Sequence, residues 1–152
     1  MDANRLLNWE KIVPGQNIGG YKFDYDKKNC AIFITYNKKP DAQTLAYQDQ
    51  FINQSIINMY SKYPRNLESK EIQNFKDKEI TFHLFVKKSD DDGKSFIYLG
   101  TCQPQVDSFR EKAMKRVDKK NNAKTVKVVS MNLKLTTPVD INTYYMLTKI
   151  KY

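Results

Sequence analysis

Residues 80–101, ITFHLFVKKSDDDGKSFIYLGT, decide the fold. Ile80, Phe82, Leu84 and Val86 recur at period two, with Thr81, His83, Phe85 and Lys87 on the alternate side. That spacing suits a strand with one face in a core. The run Phe96-Ile97-Tyr98-Leu99-Gly100 is aromatic and branched, as strands prefer. Between the two runs Asp92-Gly93 supplies the residue pair that favours a two-residue hairpin turn. The stretch therefore predicts a central β-hairpin with an acidic tip.

Working outward, residues 21–25 alternate aromatic and charged, and 30–36 (CAIFITY) form a second apolar run after the turn residues 26–29. These predict a second hairpin. Residues 37–44 read as a polar loop. Leu45, Ile52, Ile56 and Met59 then recur at helix-like spacings, predicting a helix capped by Asp41 or Thr44 that fails ahead of Tyr63-Pro64. Ser69 marks a second helix start, with one or two turns over 70–75. Residues 109–116 are compatible with a helix by composition. Residues 125–135 alternate again and predict a closing strand, and Asp140 is placed to cap a C-terminal helix through Tyr144, Tyr145, Leu147 and Ile150. Strands arrive as hairpins rather than alternating with long helices. The fold class expected is α+β: one domain over residues 1–152, with a curved antiparallel sheet or small β-barrel and a few short helices.

The 152 residues carry 26 Lys and Arg against 17 Asp and Glu, a formal +9. Such an excess favours a polyanionic partner. No segment reaches the ~18 apolar residues of a membrane span, and the N-terminus lacks a signal-peptide pattern. The expectation is a soluble cytoplasmic protein without membrane partners. Cys30 and Cys102 lie in or beside apolar runs and outside any CxxC pair, so they read as buried thiols. One histidine cannot complete a zinc set with them, and no metal or cofactor is expected.

Gly19-Gly20 does not open a phosphate loop. Aligning Gly93 to the glycine of a calcium loop puts Lys88 and Leu99 at ligand positions, so that match fails. His83 lacks a nucleophile or carboxylate on a recognisable motif and reads as a satisfied strand histidine. With no catalytic constellation, a binding domain is expected rather than an enzyme. What the sequence does offer is aromatics among cations. Tyr21, Tyr36, Tyr47, Phe51 and Tyr60 share one half of the chain with Lys22, Lys38, Lys39, Lys62 and Arg65. Rings of that kind can stack on bases while lysines meet phosphates; equally, they can be core.

Several segments carry a resemblance to a known family: LLNW (6–9), NIGGYKF (17–23), Tyr47-x-Asp49-x-Phe51, Tyr60-Ser61, Ser69, and HLFVKKSDDDGKSFIYLG (83–100). Over residues 5–147 the chain resembles the C-terminal domain, long described as of unknown function, of bacterial modification-dependent (type IV) restriction proteins. In those proteins it follows a phospholipase-D-type nuclease and a helicase-like ATPase. The resemblance implies a module that reads modified cytosine in double-stranded DNA, on a fold similar to the PUA-like SRA and EVE domains. It further implies nuclease and ATPase modules supplied in cis or in trans, in restriction and phage defence. Neither enzyme's motif occurs here, which fits a fragment of a larger protein.

On that reading one nucleotide is flipped into an aromatic-lined pocket. Asp49 is the candidate acceptor for the cytosine amine, with Tyr47 and either Tyr36 or Tyr60 as stacking partners. Gly19 and Gly20 would let backbone approach base or phosphate, and Lys38, Lys39, Lys62 and Arg65 are the candidate phosphate contacts. Asp24 and Asp41 are the next carboxylates in line. The alternative is an RNA-binding or protein-docking module on the same fold.

Overall fold

A computed structural model describes residues 20–37, 50–89, 96–117, 120 and 122–148. In chain order the strands are β1 (Gly20–Asp24), β2 (Asn29–Asn37), β3 (Gln50–Asn53), β4 (Ile56–Tyr60), β5 (Thr81–Ser89), β6 (Ile97–Pro104), β7 (Arg110–Val117) and β8 (Ala123–Leu135). Helix α1 (Lys70–Phe75) lies between β4 and β5, and α2 (Ile141–Thr148) follows β8. The strands build one sheet in the order β1-β2-β5-β6-β8-β4-β3, with β7 also on β8. The α+β expectation holds.

Both predicted hairpins are present. β1 pairs antiparallel with β2, and β5 with β6, where Phe82 faces Cys102 and Leu84 faces Gly100. The turn at 90–95 that carries Asp92-Gly93 lies outside the described residues, as does the lead-in at Arg5–Trp9. The sheet is not wholly antiparallel as expected: β2 and β5 run parallel, with Ile32 opposite Leu84. A parallel pair needs a long crossover, and here it contains β3, β4 and α1. Residues 30–34 of β2 are buried on both faces, the pattern of a strand covered on two sides. Among the described residues no pairing joins β1 to β3, so the sheet is open rather than closed into the alternative barrel.

Two helical expectations are corrected. Helix-like spacing through Ile52, Ile56 and Met59 gives way to the β3–β4 hairpin, in which Phe51, Ile57 and Met59 are buried and Ile52 is exposed. Asn53 Oδ1 accepts the amide of Ser55 at 2.8 Å, a side-chain turn that interrupts a helix. β4 then pairs along β8 from Ile56–Lys134 to Tyr60–Ser130. Residues 110–116 are strand β7, paired residue by residue with β8. Their helix-compatible composition is overridden by a long β-branched partner, which no local propensity registers.

β6 and β7 lie along the same edge of β8, interrupted by a 3-10 turn over Val106–Ser108. Gln105 N donates to Asn132 O, and Ser108 Oγ accepts the Asn132 amide, so the excursion leaves those β8 groups satisfied. Asp140 caps α2 as predicted, its Oδ2 accepting the amides of Asn142 and Thr143. Ser69 sits at the N-cap position of α1, but its hydroxyl turns back to accept the Asn66 amide instead.

The main core lies on one sheet face. Ile32, Leu84, Met131 and Leu133 meet Ile72 and Phe75 of α1 and Leu147 of α2. Phe75 packs against the rings of Tyr21, Phe23 and Phe82. A smaller cluster of Ala31, Phe33, Phe85 and Phe96 forms on the opposite face.

Candidate nucleic-acid interface

After Tyr60 the chain leaves β4 but stays on the edge of β8. Ser61 is buried and fully used: its amide donates to Val129 O at 2.8 Å, its Oγ accepts the Val129 amide at 2.9 Å, and its hydroxyl donates to Lys62 O. Arg65 N reaches Lys127 O at 2.9 Å. Residues 60–65 are thus fixed to the sheet at two points, and Lys62 between them is exposed.

The backbone amide of Lys62 donates to the Tyr21 hydroxyl at 3.0 Å, and its Nζ lies 4.9 Å from the centre of the Tyr21 ring. Beside it Gly20 has φ +105, a conformation that side-chain-bearing residues rarely adopt. A Cβ at Gly20 would stand 3.3 Å from Lys62 Cε. The glycine thus admits both the backbone turn and the lysine stem.

Glu71, in the first turn of α1, joins this group. The Tyr21 hydroxyl donates to Glu71 Oε1, and Arg65 Nε donates to the same oxygen at 3.0 Å. Burial, then the hydrogen bond to Glu71, push the Tyr21 phenol well above its ordinary range. The carboxylate also raises the pKa of Arg65. Arg65 therefore meets an internal counter-charge, and part of its role is to tie the 60–65 segment to α1. Adjacent to Glu71 is a cleft of about 290 Å³ lined by Tyr25, Lys70, Glu71 and Asn74. Asn74 Nδ2 donates to the Tyr25 hydroxyl at 3.0 Å, and the Tyr25 ring stacks on Phe23 with only 1° between planes. A carboxylate, an amide and an aromatic ring at one opening can engage a planar polar ligand.

Of the sequence-predicted residues, Gly20, Lys62 and Arg65 come together around Tyr21. Tyr60 lies two residues upstream, half-buried, with Lys112 Nζ 5.6 Å from its ring centre. Tyr36 belongs to β2, but its side chain is outside the described residues, and so are Gly19, Lys38, Lys39, Tyr47 and Asp49. Asp24 sits at the β1–β2 turn, where its Oδ1 accepts the Lys27 amide; Asp41 is also outside the described residues.

Sequence reasoning missed Glu71 and the cations of β7 and β8. Arg110, Lys112, Lys115, Lys124, Lys127 and Lys134 are all exposed on these two strands. From 110 to 134 the sequence has nine Lys and Arg against two acidic residues. No local signal marked them, because REKAMKRV (110–117) lacks a period-two apolar pattern and becomes a strand only through its pairing with β8.

The remaining chemistry is quiet. His83 Nδ1 lies 2.9 Å from the Tyr98 hydroxyl and Nε2 lies 3.3 Å from Asn29 Oδ1. An amide oxygen only accepts, so Nε2 carries the proton and Nδ1 accepts from Tyr98. Burial lowers the imidazole pKa, giving the satisfied strand histidine expected. Cys30 and Cys102 are free and buried, also as expected. Among the described residues no three His, Cys, Asp or Glu gather to hold a metal, and no helix is long and apolar enough to cross a membrane.

Fold and surface define a basic α+β domain whose cations flank one long strand. The chain belongs to the family described as Domain of unknown function (DUF3427), which it matches over residues 1–147. No curated protein matches it.

Proposed function

We propose that this domain is a DNA-binding module that recognises modified cytosine by extruding the base into an aromatic pocket. It directs a restriction nuclease carried by other modules, in cis or in trans, and works in the cytoplasm. The observation that carries the reading is the array of exposed cations on both sides of β8: Lys62 on one edge, and Lys112, Lys115, Lys124 and Lys127 on the β7–β8 pair. Clustered lysines on a fixed framework are the electrostatic footprint of phosphate binding. The choice of modified cytosine rests on the resemblance to modification-dependent restriction proteins, whose central motif occupies β5 and β6 here.

The test is fluorescence anisotropy at fixed salt on duplexes carrying cytosine, 5-methylcytosine or 5-hydroxymethylcytosine. The expected result is salt-sensitive binding to all three with a preference for a modified one. Asp49→Ala should remove the preference, at a cost of about 1–3 kcal/mol, and leave the background binding intact. Tyr47→Ala should weaken modified-site binding by a similar ~1–3 kcal/mol. Lys38→Ala with Lys39→Ala should flatten the salt dependence. Equal affinity for all three duplexes would refute modified-base reading. Absence of salt-sensitive binding would refute the DNA-binding reading altogether.

A further inference from the structure

β7 and β8 pair over eight successive positions, from Arg110–Ser130 to Val117–Ala123. The rest of the sheet does not accompany them that far. β4 leaves β8 at Ser130, and the last backbone bond from the 60–65 segment is to Lys127 O. β7 itself pairs only with β8 among the described residues. The four pairs from Met114–Val126 to Val117–Ala123 therefore stand beyond the sheet as a two-stranded ribbon. At about 3.3 Å per residue they extend on the order of 13 Å.

Register distributes the ribbon's charges. Directly paired residues share a face, so Lys115 opposite Thr125 lies on the same side as Lys127 opposite Ala113. Lys112 opposite Val128, and Lys124 one strand across, lie on the other side, with Met114 and Val126 between them. Lys112, Lys115, Lys124, Thr125 and Lys127 are exposed. From the Lys112–Val128 pair to the Arg116–Lys124 pair each face carries two exposed lysines, of which Lys115 and Lys124 stand on the four projecting pairs.

We infer that the free end of the β7–β8 ribbon enters the major groove of duplex DNA. That groove, about 12 Å wide and ~8.5 Å deep, admits a two-stranded β-ribbon. The lysines of the two faces then meet the phosphate walls on either side. A ribbon seated there covers guanine N7, which lies on the major-groove edge of the base pair. The A-form major groove of duplex RNA is too narrow and deep to be read in this way. The inference rests on the DNA-binding reading above and adds which element enters which groove.

Dimethyl sulfate footprinting tests it, because the reagent methylates guanine N7 in the major groove and adenine N3 in the minor groove. The domain, bound to unmodified duplex at low salt, should protect guanine N7 and leave adenine N3 reactive. Lys115→Ala with Lys124→Ala, one lysine from each face, should lower affinity about tenfold or more at ~0.1 M salt and reduce the log–log salt slope by roughly two. Both side chains are exposed, so the variant should melt as the parent does. A second variant, with residues 115–125 replaced by Asn-Gly, keeps the Met114–Val126 pair and should lose N7 protection entirely. Duplex RNA of the same sequence should not compete. Adenine N3 protection without N7 protection, or binding that protects neither, would overturn the groove assignment while leaving DNA binding in place. Unchanged N7 protection by the 115–125 replacement, or unchanged affinity and salt slope in the double variant, would overturn it too. Failure of the parent to bind duplex DNA at low salt would instead overturn the underlying reading.

Discussion

Replacing Glu71 with alanine tests the contact that joins β1, α1 and the 60–65 segment. In the folded domain one carboxylate oxygen accepts from both the Tyr21 hydroxyl and Arg65 Nε. Tyr21 is 5% exposed, so its hydroxyl cannot replace the lost acceptor readily with water. A stranded buried donor costs about 1–3 kcal/mol. The Arg65 side chain retains 27% exposure and can rehydrate, so its share is at most about 1 kcal/mol. Loss of a negative charge in the first turn of α1 and gain of alanine's helix propensity each amount to a few tenths and oppose one another. The expected destabilisation is therefore about 2–3 kcal/mol, or a fall in Tm of roughly 5–10 °C for a chain of this length. Urea denaturation with an unchanged m-value should report it as a lower midpoint. A double-mutant cycle with Tyr21→Phe should return a coupling of about 1–2 kcal/mol, since removing the hydroxyl makes the missing carboxylate cheaper. A loss below ~0.5 kcal/mol, or a coupling near zero, would refute the account of Glu71 as the anchor.

Phe75→Ala empties a site 1% exposed and ringed by Tyr21, Phe23 and Phe82, and should cost about 3–5 kcal/mol in urea melts; a loss below ~1.5 kcal/mol would mean that α1 is not seated on the core. At high pH, burial holds Cys102 protonated up to about 12 against an ordinary 9.0, and Cys30 and Tyr21 are raised by burial as well. The unfolded chain loses those protons first, so stability should be full below pH 9 and fall between about 9 and 12. Melts at pH 8 and 10.5 check this, and Cys102→Ala should flatten the decline. At low pH the sign reverses for His83, whose pKa burial lowers. Its contribution is present above its ordinary 6.5 and lost as pH falls through the folded value, so His83→Gln should reduce the pH dependence of melting between about 7 and 5.

The sequence by itself determined the two hairpins, the capped C-terminal helix, the buried thiols and the satisfied histidine. The elements rest on neighbours in the chain: period-two alternation in β1 and β5, a continuous apolar run in β2, Asp140 two and three residues before the amides it caps, and cysteines in or beside apolar runs. It also brought Gly20, Lys62 and Arg65 to notice as types suited to phosphate and close backbone approach. Only the tertiary structure decided that residues 50–60 and 110–117 are strands. Both segments suit a helix locally, but β4 and β7 are captured by β8, which begins 63 residues after Tyr60 and six after Val117, and β3 then pairs on β4. The parallel β2–β5 pair was illegible for the same reason, because strand direction depends on where a crossover returns the chain. Glu71 shows the limit most plainly. In sequence it is one more acidic residue on a short helix, and its partners, six and 50 positions away, become its partners only once the sheet has placed β1 beside the 60–65 segment.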